Sequence, residues 1–218
     1  MENGITVVIL NWKRPQNIVN HILPSLEKLS LIKEIIISHG RQDTAFNYTL
    51  PPYHVRHDDL RIEHRDDSKN NAVFGLALRF LAASHASYPH VLFVDDDTVP
   101  HPAGVYNMYQ MYIKKQPCIV AKYGRRITRD ITYSTRPPIE QEQGRNGYIQ
   151  VPIALTSCTL VPRALCCAFL HTFKDSLEFV FRKSRPLWNG EDIALSILSL
   201  IQFRKPIIVI TDNEKVPV

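Results

Sequence analysis

Apolar strands and amphipathic helices alternate along the first hundred residues, and this pattern limits the possible folds more than any other feature. Thr6–Leu10 and Glu34–Ser38 are short, mainly apolar runs, as expected for strands that are buried on both faces. Pro15 suits the first residue of a helix, the apolar residues from Ile18 to Leu29 recur at helical spacing, and Pro24 is expected to kink that helix. The pattern predicts parallel βαβ units, and therefore an α/β fold with a mostly parallel sheet flanked by helices.

Two further strands and one helix complete this half of the sequence. Leu60–His64 is a short predicted strand, and His90–Val94 is the clearest buried strand of the chain. Between them, the side chains of Asp66–Ser68 are expected to cap a helix, and apolar residues at helical spacing follow from Val73 to Leu81. In open sheets of this type ligands bind beyond the carboxyl ends of the strands, so a site is expected in the loops that follow them.

The second half predicts a more mixed set of elements. They are a helix over 106–115, a strand over 118–122, a polar loop over 136–147, one or two strands within 149–161, an ambiguous stretch over 164–181, a helix over 191–203 and a last strand over 206–210. No internal repeat or low-complexity linker separates the two halves. A chain of 218 residues with 44% hydrophobic content can build one core, so we expect a single domain over residues 1–218.

The formal net charge of +5 favours anionic partners. No run of lysine and arginine exceeds two residues, so a phosphate-lined pocket fits this charge better than a tail that binds polyanions. Aromatic residues are not interleaved with basic ones at a spacing suited to base stacking, and we therefore expect no nucleic-acid partner.

Targeting signals are not recognisable in the sequence. No apolar stretch approaches the roughly 18 residues that a transmembrane helix needs, and the apolar run after Gly4 is too short for a signal peptide. The cysteines Cys118, Cys158, Cys166 and Cys167 form no CxxC pair and are expected to be buried free thiols in a reducing compartment. We expect a cytoplasmic chain without a membrane segment, either complete or one domain of a longer protein. The sequence does not indicate an oligomeric state.

Three consecutive carboxylates, Asp95, Asp96 and Asp97, directly follow the most apolar strand, and we call them the acidic tip. Neighbouring carboxylates raise one another's pKa unless a cation compensates their charge. Mg²⁺ and Mn²⁺ are hard cations, and Mg²⁺ usually takes one or two protein carboxylates together with phosphates and water. Because alternate residues of an extended segment point the same way, Asp95 and Asp97 can share an ion. A polar turn or a helix cap is the alternative, and the apolar strand in front favours the metal.

A second acidic motif, Asn189–Ile193, opens the late predicted helix and contains Glu191 and Asp192. The helix dipole stabilises carboxylates at a helix N-terminus, so capping is a plain alternative to catalysis. Trp188 offers an aromatic face on which a sugar ring can stack, or it belongs to the core.

Basic and polar residues follow the other predicted strands. Lys13 and Arg14 can pair with a phosphate or remain in a solvated loop, and His39 ends the second strand. Asn70 and Asn71 lie near a helix start, where amides and backbone N–H groups can meet a diphosphate or simply cap the helix.

The order of these motifs resembles that of GT-A glycosyltransferases. Val94–Thr98 is similar to their DxD motif, and a late Glu-Asp-Ile-Ala helix follows about 95 residues on. More closely, the order resembles exostosin-type transferases, and it is also similar to small glycosyltransferase domains of large algal viruses. The segments that carry this likeness are Asn11–Arg14, Ser38–Gly40, Ser68–Asn71, Val94–Thr98 and Asn189–Ala194, which together span nearly the whole chain.

The resemblance implies a GT-A, Rossmann-like fold in which residues 1–100 form the nucleotide-binding half and residues 101–218 the acceptor-binding half. It implies a nucleoside-diphosphate sugar as donor, with UDP favoured and GDP possible, and Mn²⁺ or Mg²⁺ as cofactor. The acceptor would be a glycan or another hydroxyl compound. The sugar, the acceptor and the linkage are not indicated.

The resemblance also assigns residues to the donor. Asp97 is carried over as the direct metal ligand, Asp95 as the residue that holds the ribose or a metal-bound water, and Asp96 as a neighbour of the transferring sugar. The remaining residues carried over to donor binding are Asn11, Arg14, His39, Asn70 and Asn71.

Asp192 falls on the acidic residue closest to the reacting anomeric carbon, with Glu191 beside it, and we expect both to be catalytic. As the base that takes the proton of the acceptor hydroxyl, Asp192 implies inversion, and as a group flanking the oxocarbenium face it implies retention. The exostosin likeness favours retention, whereas a Gly-Glu-Asp sequence also occurs in inverting GT-A enzymes. Exostosin-type enzymes have a cysteine where Gly190 stands in this chain.

Two other functions are consistent with the same pattern. A nucleotidyltransferase shares doubly wound sheets and acidic metal sites, but it normally has a glycine-rich loop after the first strand, and residues 11–15 contain no glycine. The sequence also lacks the GxGxxG and GxxxxGK[ST] signatures of dinucleotide-binding proteins and P-loop proteins. A transferase-like module that binds carbohydrate without catalysis is the second alternative.

Overall fold

The computed structural model describes residues 4–40, 53, 55, 58–116, 119–127, 147–183 and 190–210. Trp188, Asn189, Cys118 and nearly all of the predicted polar loop lie outside these residues. Within them, no helix is long and apolar enough to cross a membrane.

An eight-stranded sheet crosses the described part of the chain. Its strands are β1 (Ile5–Asn11), β2 (Ile32–His39), β3 (Arg61–Asp66), β4 (His90–Asp95), β5 (Ile119–Ala121), β7 (Tyr148–Val151), β9 (Cys158–Pro162) and β10 (Ile207–Ile210). A separate two-stranded ribbon consists of β6 (Gly124–Arg125) and β8 (Ile153–Ala154). The order is β3-β2-β1-β4-β9-β5-β10-β7. Pairing is parallel from β3 to β4 and between β5 and β10, whereas β9 and β7 are antiparallel to their neighbours. The predicted α/β architecture with a mostly parallel sheet is confirmed, and strands of both sequence halves belong to it.

Helices connect the strands. They are α1 (Pro15–Asn17), α2 (Leu23–Leu26), α3 (Ser68–Phe74), α4 (Leu78–Ser84), α5 (Pro102–Lys115), α6 (Arg163–Lys183) and α7 (Glu191–Leu198). A π turn, Ile18–Ile22, joins α1 to α2, and a second π turn, Ser199–Phe203, continues α7. Pro24 lacks the backbone N–H that would close a regular helical turn, which explains why the helix is irregular in the π turn just before α2.

The sheet is covered on both faces, as its sequence pattern predicts. Val8, Ile36 and Phe93 belong to one buried cluster, whereas Val7 and Ile9 belong to another, so successive residues of one strand enter opposite cores. All five of these side chains are at most 1% exposed. Burying one such side chain contributes about 1.5–3 kcal/mol, which makes these two apolar layers the main stabilisation of the frame that holds the site.

A buried carboxylate, Glu34, fixes the edge of the sheet where the parallel strands begin. It accepts hydrogen bonds from the Thr6 hydroxyl at 2.6 Å, from the Ser87 N–H and hydroxyl at 2.7 and 2.8 Å, and from Arg61 at 2.7 Å. Burial raises the pKa of Glu34, but these hydrogen bonds and the Arg61 charge outweigh it, so the pKa is lowered. Glu34 is therefore a structural anion, far along its strand from the carboxyl-end loops.

The structure corrects several predicted elements. The first helix ends at Leu26 rather than near Leu29, because the N–H groups of Leu29 and Ile32 already bond to nearby turn carbonyls. The segment 149–161 holds three short strands instead of one or two, and the ambiguous stretch is helix α6. Of the predicted capping side chains, Asp66 accepts from the Ser68 N–H at 3.1 Å, whereas Asp67, which stands at the N-cap position, makes no capping bond to α3.

Cys158 and Cys166 are buried free thiols as predicted, whereas Cys167 is exposed.

Candidate active site

A cleft of about 300 Å³ opens at the carboxyl ends of the central strands. Among the segments that line it are the acidic tip at the end of β4, the Thr156–Ser157 turn before β9, and Glu191 and Asp192 at the start of α7. The antiparallel direction of β9 brings that turn to the same edge, where the Asp95 N–H donates to the Ser157 carbonyl at 3.0 Å. Residues that lie about 95 positions apart in sequence therefore face one space.

Asp96 is the structural member of the acidic tip. One of its carboxylate oxygens accepts hydrogen bonds from three consecutive backbone N–H groups, those of Trp12, Lys13 and Arg14, at 2.9, 2.7 and 2.9 Å. The other oxygen accepts from the Arg14 guanidinium at 3.0 Å, and the Asn17 amide donates to the Asp96 carbonyl at 2.6 Å. Asp96 is 4% exposed, so its charge holds the loop between β1 and α1 in place. Its predicted contact with the transferring sugar stays a prediction.

Asp97 projects from the same tip into solvent. Its side chain is 53% exposed, and Arg14 Nη1 lies 3.2 Å from Asp97 Oδ2. Arg14 is itself half exposed and bridges Asp96 and Asp97. In this arrangement the guanidinium predicted to meet a phosphate neutralises the acidic tip.

Asp95 is balanced by a buried arginine that the sequence analysis did not identify. Arg79 of α4 is 2% exposed, and its Nη1 lies 2.9 Å from Asp95 Oδ1. The guanidinium also donates to the carbonyl oxygens of Leu76 at 3.0 Å and Thr156 at 2.9 Å, and it lies over the Phe93 ring at 6.0 Å from the centroid. A buried guanidinium is tolerated only with such partners, so Arg79 links α4, the tip and the turn before β9.

Glu191 and Asp192 occupy the first turn of α7, next to Arg79. Glu191 is 6% exposed and accepts from the Thr156 hydroxyl at 3.0 Å. Burial raises the pKa of Glu191, and the positive charge of Arg79 opposes the rise. Asp192 is half-buried and lines the cleft, where its Oδ1 accepts from the Ile193 N–H at 2.8 Å. Of the two, Asp192 is the more open to a ligand.

Gly190, which directly precedes Glu191 and Asp192, has a backbone requirement of its own. It is the N-cap residue of α7 with φ +121°, a conformation that residues with a side chain rarely adopt. A Cβ there would meet nothing within 4 Å, so the backbone alone accounts for glycine.

The ends of β1, β2 and β3 form a second polar group beside the cleft. Asn11 Nδ2 donates to His39 Nδ1 at 2.9 Å, which leaves the ring proton on His39 Nε2, and this atom lies 3.3 Å from His64 Nδ1. Burial and the neighbouring His64 lower the pKa of His39 to about 4, although Asp66 and Asp67 oppose the shift. His39 is therefore neutral near pH 7 and offers no positive charge to a phosphate.

Asn70 and Asn71 stand at the start of α3, organised by Asp67. The Asp67 carbonyl accepts from the backbone N–H groups of both asparagines at 2.9 and 3.1 Å. Its carboxylate, which the sequence analysis assigned to capping, turns inward and accepts from the Ser38 hydroxyl at 2.7 Å. Asn71 is 5% exposed and packs against Gly40. This group closes the carboxyl ends of β2 and β3 next to Asn11.

The donor atoms of the acidic tip decide whether it suits a metal ion. No three or more His, Cys, Asp or Glu side chains in the described part of the chain are grouped to hold an ion. Asp95 and Asp97 remain, two carboxylates at the mouth of the cleft, and Asp95 Oδ1 is buried without a hydrogen bond of good geometry within these residues. Two carboxylates suit Mg²⁺ or Mn²⁺ only when phosphates and water complete the coordination. The residues fit an ion that a diphosphate helps to hold.

The structure thus brings the predicted catalytic and metal residues together and places the predicted nucleoside contacts beside them. Sequence reasoning missed Arg79, Thr156 and the cleft-lining Trp12. A lone arginine within an otherwise apolar helix was the available signal for Arg79. The sequence holds no comparable signal for Thr156, because the position of Thr156 in the cleft depends on the antiparallel direction of β9.

Comparison with known proteins gives a likeness in structure alone. The sequence matches no family model and no curated protein. Among solved structures, the chain is similar to S. aureus TarS 1–349, a glycosyltransferase, with a TM-score of 0.56 at 14% identity over 96% of this chain. It spans 58% of the length of that TarS chain. The predicted likeness to exostosin-type and viral transferases stays a prediction. The chain shares the fold of that structure, a mostly parallel sheet flanked by helices of the GT-A, Rossmann-like kind.

Proposed function

We propose that this chain transfers a sugar from a nucleoside-diphosphate donor to a hydroxyl group of a glycan or another acceptor. UDP is the favoured nucleotide and GDP the alternative, with Mn²⁺ or Mg²⁺ held at Asp95 and Asp97. The observation that carries the proposal is the single cleft shared by the acidic tip and the first turn of α7. Group transfer needs a place for the leaving diphosphate and a carboxylate at the reacting carbon, and the cleft offers both.

The nucleoside end of the donor is assigned to the polar group at the ends of β1 to β3. Asn11 is 1% exposed, and its Oδ1 has no hydrogen-bond partner among the described residues. An unpaired buried amide oxygen is costly, and a donor group that reaches it would remove that cost. The neutral His39 supports recognition of a base or ribose by hydrogen bonding rather than attraction of phosphate.

Bond cleavage at the anomeric carbon leaves extra negative charge on the departing diphosphate. A divalent ion on that diphosphate would stabilise the charge more in the transition state than in the ground state. Arg14 lies at the mouth of the tip as a further cation. Asp192 would accept the proton of the acceptor hydroxyl as its oxygen bonds to the anomeric carbon, or it would stabilise the oxocarbenium face. The first role predicts an inverted product and the second a retained one.

Glu191 takes part through position rather than through contact with substrate. Its carboxylate is buried against Thr156, and burial raises its pKa. It would fix the first turn of α7 and thereby the direction of Asp192.

Nucleotide binding is the first test. Calorimetry with UDP, GDP and the corresponding triphosphates, with Mn²⁺ and with a chelator, should show diphosphate binding that the chelator abolishes. Preference for a triphosphate would indicate a nucleotidyltransferase instead. Absence of any nucleotide binding would indicate a carbohydrate-binding module.

Variants separate binding from transfer. Asp97→Ala should abolish metal-dependent donor binding, whereas Asp192→Ala should keep donor binding and lose transfer in a screen of nucleotide sugars. Asp59→Ala, at a side chain that is 83% exposed, is the matched control. Transfer by Asp192→Ala at the parental rate would remove Asp192 from the mechanism.

A further inference from the structure

The acidic tip carries two internal cations, one on each side. Arg79 lies 2.9 Å from Asp95 and Arg14 lies 3.0 and 3.2 Å from Asp96 and Asp97. Every carboxylate of the tip therefore already has a guanidinium partner. A divalent ion that approaches the tip meets two positive charges as well as three negative ones.

We infer that Arg14 and Arg79 act as resident counter-ions, which keep the affinity of the tip for a divalent metal low until a nucleoside diphosphate binds with it. The inference rests on the proposed function, since it concerns the metal affinity of the same acidic tip. Each guanidinium repels the ion directly and weakens the attraction of the carboxylate it contacts. The negative charge of a diphosphate offsets both effects, so metal and nucleotide favour each other's binding.

The two arginines contribute in different ways. Arg79 is buried and tied to two carbonyl oxygens, so its charge stays against Asp95 whatever binds. Arg14 is half exposed, and its loop is held by three backbone hydrogen bonds that do not involve its guanidinium. Its side chain can therefore leave Asp97 for a phosphate without loss of the loop.

A purely structural role is the competing explanation for Arg79. In that case the loss of its contacts would lower stability, and the metal affinity of the folded fraction would stay the same or fall. Tighter binding of metal after removal of an arginine is the result that a structural role does not produce.

The experiment measures Mn²⁺ binding by electron paramagnetic resonance, without nucleotide and with saturating UDP. Arg14→Gln and Arg79→Met should each bind Mn²⁺ alone about tenfold more tightly than the parent, as expected for removal of one charge near a divalent ion even at the dielectric constant of water. The ratio of affinities with and without UDP should fall correspondingly. Arg79→Lys, which keeps the charge, should match the parent.

Lys33→Gln is the control for loss of one positive charge, because Lys33 pairs with Asp59 at 3.6 Å near the start of β2. Circular dichroism establishes whether each variant is folded. If Arg79→Met does not fold, the Mn²⁺ affinity of Arg14→Gln alone tests the inference. Unchanged or weaker Mn²⁺ binding by Arg14→Gln overturns the inference, as does equal tightening by Lys33→Gln. A failure of sugar transfer with every donor would refute the proposed function and leave these metal affinities standing.

Discussion

Replacement of Asp96 by asparagine should destabilise the protein, although a DxD-like motif suggests a role in substrate binding. The carboxylate accepts three backbone N–H groups and one guanidinium at 2.7 to 3.0 Å, and it is 4% exposed. A hydrogen bond to a charged group contributes about 1.5–3 kcal/mol and one between neutral groups about 0.5–1.5 kcal/mol. Asparagine keeps the shape but removes the charge from all four bonds. The three backbone bonds alone, at about 1 kcal/mol each, account for an expected loss of about 3 kcal/mol.

Thermal unfolding followed by circular dichroism measures this loss. In a domain of this size 1 kcal/mol corresponds to about 2–4 °C, so Asp96→Asn should melt about 6–12 °C below the parent. Asp97→Asn is the matched comparison, because Asp97 is 53% exposed and an ion pair at the surface contributes about 0–1 kcal/mol. Asp97→Asn should melt within about 4 °C of the parent. Equal melting temperatures for the two variants would refute the structural assignment of Asp96.

Two further results are expected. Because the pKa of Glu34 is lower in the folded chain than in the unfolded one, the stabilisation that Glu34 provides is complete above the unfolded pKa and is lost as the pH falls through the folded pKa. Urea titrations at about pH 7 and pH 3 should therefore show a smaller drop in the free energy of unfolding for Glu34→Gln than for the parent or for the partly exposed control Glu63→Gln. Equal drops in the three proteins would contradict this expectation. Gly190→Ala should lower the free energy of unfolding by about 1–3 kcal/mol, because alanine is strained at φ +121°. It should also reduce sugar transfer, because the first turn of α7 would be misdirected. A variant as stable as the parent would show that the strain is absent.

Strands β1, β2 and β4 were predictable because each contains a short apolar run and ends at a polar residue. His90–Val94 is followed at once by Asp95, and the structure ends β4 at that residue. Such a strand is buried on both faces, and its carboxyl end must lie at the ligand edge of a parallel sheet. Physical constraints on strand burial therefore placed the acidic tip without knowledge of the fold.

The internal balance of the site was not predictable in the same way. The sequence shows three adjacent carboxylates, but it does not show that Asp96 turns under the loop after β1 while Asp97 turns outward. Arg79 reaches Asp95 only because α4 packs on the face of the sheet where Phe80 contacts Phe93 of β4, which is a property of tertiary packing. The π turn before Pro24 likewise reflects a local backbone choice that apolar spacing does not record.

The reversed strand β7 has a consequence for how this protein can diversify. The chain leaves the sheet at the carboxyl end of β5 and re-enters it at the amino end of β7, and both ends lie at the edge that holds the cleft. Insertions and substitutions between Lys122 and Gly147 are thus anchored on the substrate side at both limits. They can reshape what the cleft admits while β1 and β4, on which the acidic tip depends, keep their register.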